Sequence, residues 1–267
     1  MMKITLNGKE QSSLFKTAFE LRDSINKNAM LILNGFCIDK DLALKDGDSV
    51  VLIEKGKMPS YDELESAMMS RHTPNVHKKL KASKVAIAGL GGLGSNIAVS
   101  LARIGVGQLL LVDFDIVEPS NLNRQSYYVR HLGMTKTEAL KEQIKEINPF
   151  IEVLIKTIKV DEENIVELFE GYQIVCEAFD KADQKAMIVN GILEKLPNTT
   201  IIAASGLAGY DSSNLIQTRK AINNLYICGD LEAEAKIGNG LMAPRVQICA
   251  AHQANMVLRL LVGESDV

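Results

Sequence analysis

Apolar and polar residues alternate over residues 3–7, and this period of two predicts a β-strand that ends in the dipeptide Asn7-Gly8. Asn-Gly is a strong signal for a two-residue hairpin turn. The spacing of apolar residues then changes to that of a helix over residues 17–28. The residues predicted to form the apolar face of this helix are Phe15, Phe19, Leu21 and Ile25.

A second apolar run at residues 30–33 is followed by another Asn-Gly turn, Asn34-Gly35, and Asp46-Gly47 introduces a last strand at residues 49–54. The predicted order is therefore β-β-α-β-β in about fifty residues. This order resembles the small α+β β-grasp, or ubiquitin-like, fold, and the run at residues 44–51 resembles the end of ThiS-type sulfur carriers. An arbitrary small α+β cap is the alternative interpretation.

Beyond residue 83 the pattern becomes that of an α/β protein. Residues 85–88 are continuously apolar, as expected for a strand that is buried on both faces, and a second such strand covers residues 109–112. The alternation predicts a Rossmann-like doubly wound, mainly parallel sheet. The later elements are predicted as helices at residues 136–147, 162–169 and 182–193, and strands at residues 151–155, 174–176 and 200–204.

Three segments follow from these patterns. We expect a β-grasp ThiS-like domain at residues 1–57, a linker with a short helix near residues 62–69 at residues 58–82, and an ATP-binding domain at residues 83–267. The chain has 267 residues, 46% of them apolar and 24% charged, which is typical of globular proteins. The net charge of −3 gives no reason to expect a nucleic acid as partner.

The segment after the strand at residues 85–88 carries the glycines of a nucleotide-binding loop: Gly89, Gly91, Gly92 and Gly94. Such glycines allow a tight turn, close approach to phosphate and close packing of the following helix, whose first N–H groups attract anions. Asp113 ends the next strand, where an acid binds ribose hydroxyls. This set alone equally predicts an NAD-dependent oxidoreductase.

A polar cluster beyond Asp113 favours ATP. Asn121, Arg124 and Gln125 lie close together in the chain, and Lys136 begins a predicted helix. The planar guanidinium of arginine and the compact charge of lysine both suit phosphate oxygens. A hydride-transfer site does not need these groups, whereas a triphosphate site does.

The loop Gly-x-Gly-Gly-Leu-Gly, the strand end Val-Asp-Phe-Asp, the run Ser-Asn-Leu-Asn-Arg-Gln and the later lysine resemble, in order and spacing, the ubiquitin-activating-type adenylyltransferases that include ThiF, MoeB and HesA. The resemblance implies that Asp113 binds the ribose of ATP and that Asn121, Arg124, Gln125 and Lys136 line the phosphates. It also implies that Asp180 is a ligand of Mg²⁺. Arg71 is the candidate for the family's arginine that reaches the nucleotide of a partner subunit.

The same resemblance implies a function and partners. The expected reaction is adenylation of the C-terminal carboxylate of a ubiquitin-like, ThiS-like sulfur-carrier protein, in a homodimer. The layout is most similar to thiamine-pathway ThiF proteins with an N-terminal ThiS-like segment. A molybdopterin-type carrier or tRNA is the alternative substrate.

The sequence departs from these relatives in two respects. Many relatives bind a structural zinc through two C-x-x-C pairs, whereas the four cysteines here form none, and we expect no zinc site. We expect Cys249, three residues before His252, to be a core residue. A true carrier also ends in a free Gly-Gly, but the β-grasp segment continues through Gly56-Lys57.

The N-terminus lacks the long apolar stretch of a signal peptide, and the late apolar run at residues 256–262 is short and contains Arg259. We therefore expect a cytoplasmic protein with no membrane contact.

Overall fold

The computed structural model describes residues 1–70, 72 and 75–267, which form two compact units, Met1–His77 and Lys78–Val267. Within these residues, no helix has the length and apolar character required to cross a membrane. Each unit has its own hydrophobic core.

The first unit is a five-stranded sheet with a helix against one face. The strands follow the order β2-β1-β5-β3-β4, with β1 and β5 parallel at the centre. This arrangement is β-grasp-like and confirms the predicted fold, with the two-residue strand β4 as an addition. The elements are β1 (Met2–Leu6), β2 (Lys9–Ser13), α1 (Ala18–Ile25), β3 (Met30–Leu33), β4 (Phe36–Cys37), β5 (Ser49–Ile53) and α2 (Tyr61–Met69).

Both predicted hairpin turns are present. Asn7 and Asn34 have φ values of 46° and 49°, and the glycines that follow them also have positive φ. Two successive residues with positive φ give the turn whose twist matches that of paired strands, and Asn-Gly adopts it with little strain. The Asn7 side chain adds a hydrogen bond, since its Oδ1 accepts from Leu52 N at 2.8 Å.

The predicted helix at residues 17–28 was too long, and its apolar face was partly wrong. Helix α1 ends at Ile25, whose side chain is 53% exposed. The core contacts come from Ala18 and Leu21, which are buried, and from the predicted Phe19, which is partly buried. Thr17 caps the helix at its start by accepting a hydrogen bond from Glu20 N. The helix has only eight residues, and one turn of apolar contacts is enough for the small core of this unit.

Helix α2 packs against strand β5 of the same sheet. Ile32 and Val51 are paired across β3 and β5, and they point away from the core formed with α1, yet both are buried. At the sheet end, Asn7 Nδ2 donates to Glu63 Oε1 at 3.4 Å, and Lys9 forms an exposed ion pair with Asp62. Both faces of this sheet are therefore covered within the unit.

The second unit is a seven-stranded sheet in the order β11-β12-β10-β9-β6-β7-β8, parallel except for β11. It confirms the predicted Rossmann-like, mainly parallel sheet. The strands are β6 (Lys84–Ala88), β7 (Gln108–Val112), β8 (Glu152–Lys156), β9 (Ile174–Glu177), β10 (Thr200–Ala204), β11 (Gln217–Ile222) and β12 (Leu225–Gly229). The helices are α3 (Val76–Lys81), α4 (Gly92–Ile104), α5 (Lys136–Ile147), α6 (Ile165–Phe169), α7 (Ala182–Lys195) and α8 (Ala243–Val262). Helix α3 contains the point in the chain, between residues 77 and 78, at which the first unit ends and the second begins.

Local sequence explains where the helices around the sheet begin and end. Helix α5 has the predicted bounds because Thr135 accepts a hydrogen bond from Glu138 N at its start. Helix α4 ends at Ile104 and is capped by Gly105, whose φ of 79° is a conformation that favours glycine. Helix α6 begins three residues later than predicted, because residues 162–164 form turns in which the Asn164 amide binds Lys159 O.

Candidate active site

The predicted site residues whose positions are described come together at the carboxyl edge of the second sheet. Strands β6 and β9 are neighbours, yet the chain proceeds from β6 toward β7 and from β9 toward β10, on opposite sides. Such a reversal leaves a crevice where open α/β sheets bind ligands. The glycine loop follows β6 and residues 178–180 follow β9, and the two segments meet where Ala178 N donates to Ala88 O.

The glycine loop requires glycine at two positions. A Cβ atom at Gly89, where φ is 89°, would lie 2.8 Å from the Ala178 carbonyl oxygen. A Cβ atom at Gly94 would collide with the carbonyl oxygen of Gly89. The loop is therefore packed against the segment that carries Asp180, and the first turn of α4 is packed against the loop.

Asp113 supports the glycine loop from strand β7. Its carboxylate is 8% exposed, and Oδ2 accepts a hydrogen bond from Leu90 N at 2.6 Å. The other oxygen, Oδ1, accepts from Asp115 N at 2.8 Å. Each carboxylate oxygen can accept more than one hydrogen bond, so both contacts are compatible with the predicted role of Asp113 toward ribose hydroxyls.

Lys136 lies beside Asp113 and is almost fully buried. Its Nζ donates to Asp115 Oδ2 at 2.8 Å and lies 4.0 Å from Asp113 Oδ2. The ammonium group therefore lies near the glycine loop but is paired with acidic side chains, and its contact with phosphates stays a prediction.

The polar cluster at residues 121–125 faces the start of α4. A Cβ atom at Gly92 would lie 3.6 Å from Arg124 Cγ, and a Cβ atom at Gly91 would lie 3.9 Å from Gln125 Nε2. Arg124 Nη1 donates to Ser120 O and Asn123 Oδ1 within its own loop. Asn121 shapes the same loop, because its Oδ1 accepts from Glu118 N at 3.1 Å.

Two buried polar atoms of this cluster have no hydrogen-bond partner in the described structure, Arg124 Nε and Gln125 Oε1. Buried polar groups in proteins are nearly always paired, so unpaired ones need an explanation such as a ligand or water. Both atoms belong to residues that the sequence assigns to phosphate binding.

Asp180 lies in the turn after β9 and is exposed. Its carboxylate forms no hydrogen bond or ion pair with any residue whose position is described, and it does not cap α7, whose N-cap residue is Lys181. A free carboxylate at the carboxyl edge suits a metal ion that is also bound by phosphate oxygens. The remaining candidate, Arg71, lies outside the described residues.

A buried ion pair that was not predicted from the sequence supports the segment that carries Asp180. Glu177 ends β9 and is fully buried, and Lys185 Nζ lies 3.0 and 3.1 Å from its two carboxylate oxygens. Burial raises the pKa of Glu177, and the Lys185 charge opposes that shift. Glu177 Oε1 also accepts from Phe179 N at 2.7 Å, which shapes the turn that carries Asp180. The glutamate at the end of an apolar strand is the feature of the sequence that could have indicated this ion pair.

Three of the cysteines are buried near one another. Burial raises the pKa of Cys228 to about 11 and that of Cys249 to about 12, and it also raises the pKa of Cys176. The prediction that Cys249 is a core residue is confirmed, since it is 0% exposed. No group of three or more possible metal ligands occurs among the residues described, and the absence of zinc stays a prediction.

Comparison with known families gives two matches. The ThiF family matches residues 64–267, and the ThiS-like ubiquitin family matches residues 2–56. The first match covers the glycine loop, the polar cluster and Asp180. The second covers the β-grasp unit up to Gly56.

Curated relatives match parts of the chain. An adenylyltransferase and sulfurtransferase of Saccharomyces cerevisiae is 34% identical over 193 residues, which are 69% of this chain and 43% of that protein. A molybdopterin-synthase adenylyltransferase of Haemophilus influenzae is 43% identical over 107 residues, 40% of this chain and 44% of that protein. The chain thus matches less than half the length of each relative.

A solved structure shares the fold. The E. coli tRNA N6-threonylcarbamoyladenosine dehydratase in complex with ATP has a TM-score of 0.68 and 21% identity, and the match covers 77% of this chain and 97% of that one. At this level of identity the likeness concerns the fold alone.

Proposed function

This chain belongs to the ThiF family, and from that premise we propose that it is an ATP-dependent adenylyltransferase that activates the C-terminal carboxylate of a ubiquitin-like sulfur-carrier protein. The products would be an acyl-adenylate and pyrophosphate. The ThiS-like unit fused to the N-terminal side of the chain supports a carrier of this kind as the substrate.

One observation carries this proposal: the glycine loop, Asp113, Lys136, Arg124 and Asp180 converge on one crevice. The loop packs closely on the segment after β9 at Gly89, lies beside Arg124 at Gly92, and is bound by Asp113 through Leu90 N. An NAD-dependent oxidoreductase would use the loop and Asp113 but would leave the cations and Asp180 without a role. The family membership also favours ATP.

The reaction requires alignment and positive charge rather than a strong base. A C-terminal carboxylate is already ionised near neutral pH, and it attacks the α-phosphate as pyrophosphate leaves. The N–H groups at the start of α4 would bind phosphate oxygens, and Arg124 and Lys136 would balance the negative charge that moves onto pyrophosphate. Lys136 would exchange Asp115 for the nucleotide in doing so.

Mg²⁺ fits the same edge of the sheet. The unpaired, exposed carboxylate of Asp180 is the candidate ligand, and Mg²⁺ sites in nucleotide enzymes commonly combine one or two carboxylates with phosphate oxygens. When bound, the ion would neutralise charge on the leaving pyrophosphate.

We propose that the carrier belongs to the thiamine pathway. The ThiS-like match favours a thiamine-type carrier, whereas the relative from Haemophilus influenzae is named for molybdopterin synthase. Pyrophosphate release measured with purified thiamine-type and molybdopterin-type carriers distinguishes the two. A tRNA substrate is supported only by the shared fold, and the net charge of −3 does not favour it. We also propose a homodimer, as the family resemblance implies.

Substitution at Asp180 or Arg124 tests the mechanism. We expect Asp180→Ala and Arg124→Ala each to lower carrier-dependent ATP–pyrophosphate exchange by at least about 100-fold, since each removes a group that stabilises the transition-state charge. Asp183→Ala is the matched control, because Asp183 is an exposed acid in the first turn of α7. Exchange at the wild-type rate in either variant would remove that residue from the mechanism.

A further inference from the structure

The peptide groups on both sides of Leu90 are held by side chains. Leu90 N donates to Asp113 Oδ2 at 2.6 Å, and Leu90 O accepts from the Tyr127 hydroxyl at 2.8 Å. Both hydrogen bonds are buried, and Leu90 itself is 0% exposed. Asp113 was predicted from the sequence to have a role, whereas Tyr127 was not.

The hydrogen bond from Tyr127 fixes the direction of the next N–H group. In a trans peptide the C=O and N–H bonds point in opposite directions. Because the Leu90 carbonyl points inward to Tyr127, the N–H of Gly91 must point outward. Gly91 is only partly buried, and in the described parts of the chain its N–H donates to no protein group. It is an available donor directly before the start of α4, where the nucleotide phosphates are proposed to bind.

We propose that Tyr127 is a positioning residue for ATP: its hydroxyl orients the Leu90–Gly91 peptide so that the Gly91 N–H is directed at the phosphates. This inference rests on the proposed function, because it assigns a residue to the same nucleotide site. Tyr127 does not touch the nucleotide and acts through the glycine loop.

The surroundings of Tyr127 keep its hydroxyl in place as a donor. The residue is 5% exposed, and burial raises its pKa well above the ordinary value of a phenol, with the Asp113 and Asp115 charges adding to the shift. The phenol therefore stays protonated at neutral pH. Its ring packs edge-on against His131, which is fully buried and accepts a hydrogen bond from Tyr128 N through Nδ1. The hydrogen bond from Tyr128 N holds His131 in place, and the contact with His131 limits rotation of the Tyr127 ring.

The test is Tyr127→Phe in the full chain, with ATP binding measured by calorimetry and kinetics by carrier-dependent pyrophosphate exchange. We expect the Kd and KM for ATP to rise about tenfold with kcat unchanged, because one oriented phosphate donor is lost. Adenosine, which has no phosphates, should bind with unchanged affinity. Tyr128→Phe is the matched control, since Tyr128 is the adjacent tyrosine and is half-exposed.

If Tyr127→Phe does not fold, 4-fluorophenylalanine at position 127 keeps the size of the ring and also lacks the donor. Equal ATP affinity in the wild type and the folded variant would overturn the inference while leaving the proposed function intact. An equal loss of ATP and adenosine affinity would also overturn it, because general loosening of the site does not depend on phosphate. A wild-type protein that binds no ATP would overturn the proposed function itself.

Discussion

Lys136 is a cation that is already paired in the structure. Its Nζ lies 2.8 Å from Asp115 Oδ2, and the lysine side chain is 7% exposed whereas that of Asp115 is 48% exposed. In the proposed mechanism the ammonium group would leave Asp115 for a phosphate. Asp115 would therefore compete with the nucleotide for Lys136, a relation between neighbours that the motif does not reveal.

We predict that Asp115→Asn tightens ATP binding about fivefold and lowers the free energy of unfolding of the nucleotide-free protein by about 1 kcal/mol, the size expected for a half-exposed ion pair. Calorimetry with ATP and urea unfolding measure the two effects. Glu146→Gln removes the same charge from an exposed pair with Arg130 and serves as the control, with both quantities unchanged. Weaker ATP binding in Asp115→Asn would show that Asp115 supports the nucleotide instead.

At the scale of elements, strand β9, its following turn and helix α7 act as one support for Asp180. Lys185, near the start of α7, donates to both oxygens of Glu177 and to Ala204 O in β10. Glu177 in turn binds Phe179 N and Ala204 N. A buried carboxylate is stable only with such partners, and losing its cation is strongly destabilising.

We predict that Lys185→Met lowers the free energy of unfolding by about 3 kcal/mol at pH 8 and by less at pH 5. Burial already raises the pKa of Glu177 in the folded protein, and removing Lys185 raises it further. A raised carboxyl pKa removes stability as pH rises above the unfolded value, so the penalty is relieved in acid. Urea unfolding at both pH values checks this.

Lys181→Met provides the control, since it removes an exposed lysine one turn earlier and should change stability little at either pH. A Lys185→Met penalty that is equal at pH 5 and pH 8 would contradict the electrostatic origin.

At the scale of the whole molecule, the β-grasp unit resembles a carrier protein but has no C-terminus of its own. The peptide chain continues from Glu54 through Gly56 into α2, so strand β5 is not followed by a free carboxylate. Adenylation needs such a carboxylate. The unit is therefore not a substrate of the activity proposed here.

We predict that ATP labelled at the α-phosphate transfers its label to an added ThiS-like carrier and not to this chain. Gel electrophoresis under denaturing conditions separates the two proteins, and a carrier that lacks its last glycine is the control for the reaction at the terminus. Label recovered in a proteolytic fragment from residues 1–77 would contradict the prediction.

Local signals predicted most of this architecture. The Asn-Gly turns, the buried strand β6 and the cap at Thr135 depend on neighbours in sequence, so both folds and the crevice could be anticipated. The hydrogen bond from Tyr127 to Leu90 spans 37 residues, and strands β11 and β12 are defined by pairing with each other and with β10. Such long-range contacts have no periodic signature. Ile25 was wrongly predicted to lie on the apolar face of α1. Helical spacing is a local signal, and it does not reveal where α1 leaves the sheet.

Helix α2 occupies the second face of the β-grasp sheet with the stretch of chain that directly follows β5. A protein that approaches this unit meets helix rather than bare strand on that side, and on the opposite side it meets α1. A partner would therefore meet exposed strand at the two edges of the sheet, the polar strand β2 and the short strand β4 with its exposed Phe36.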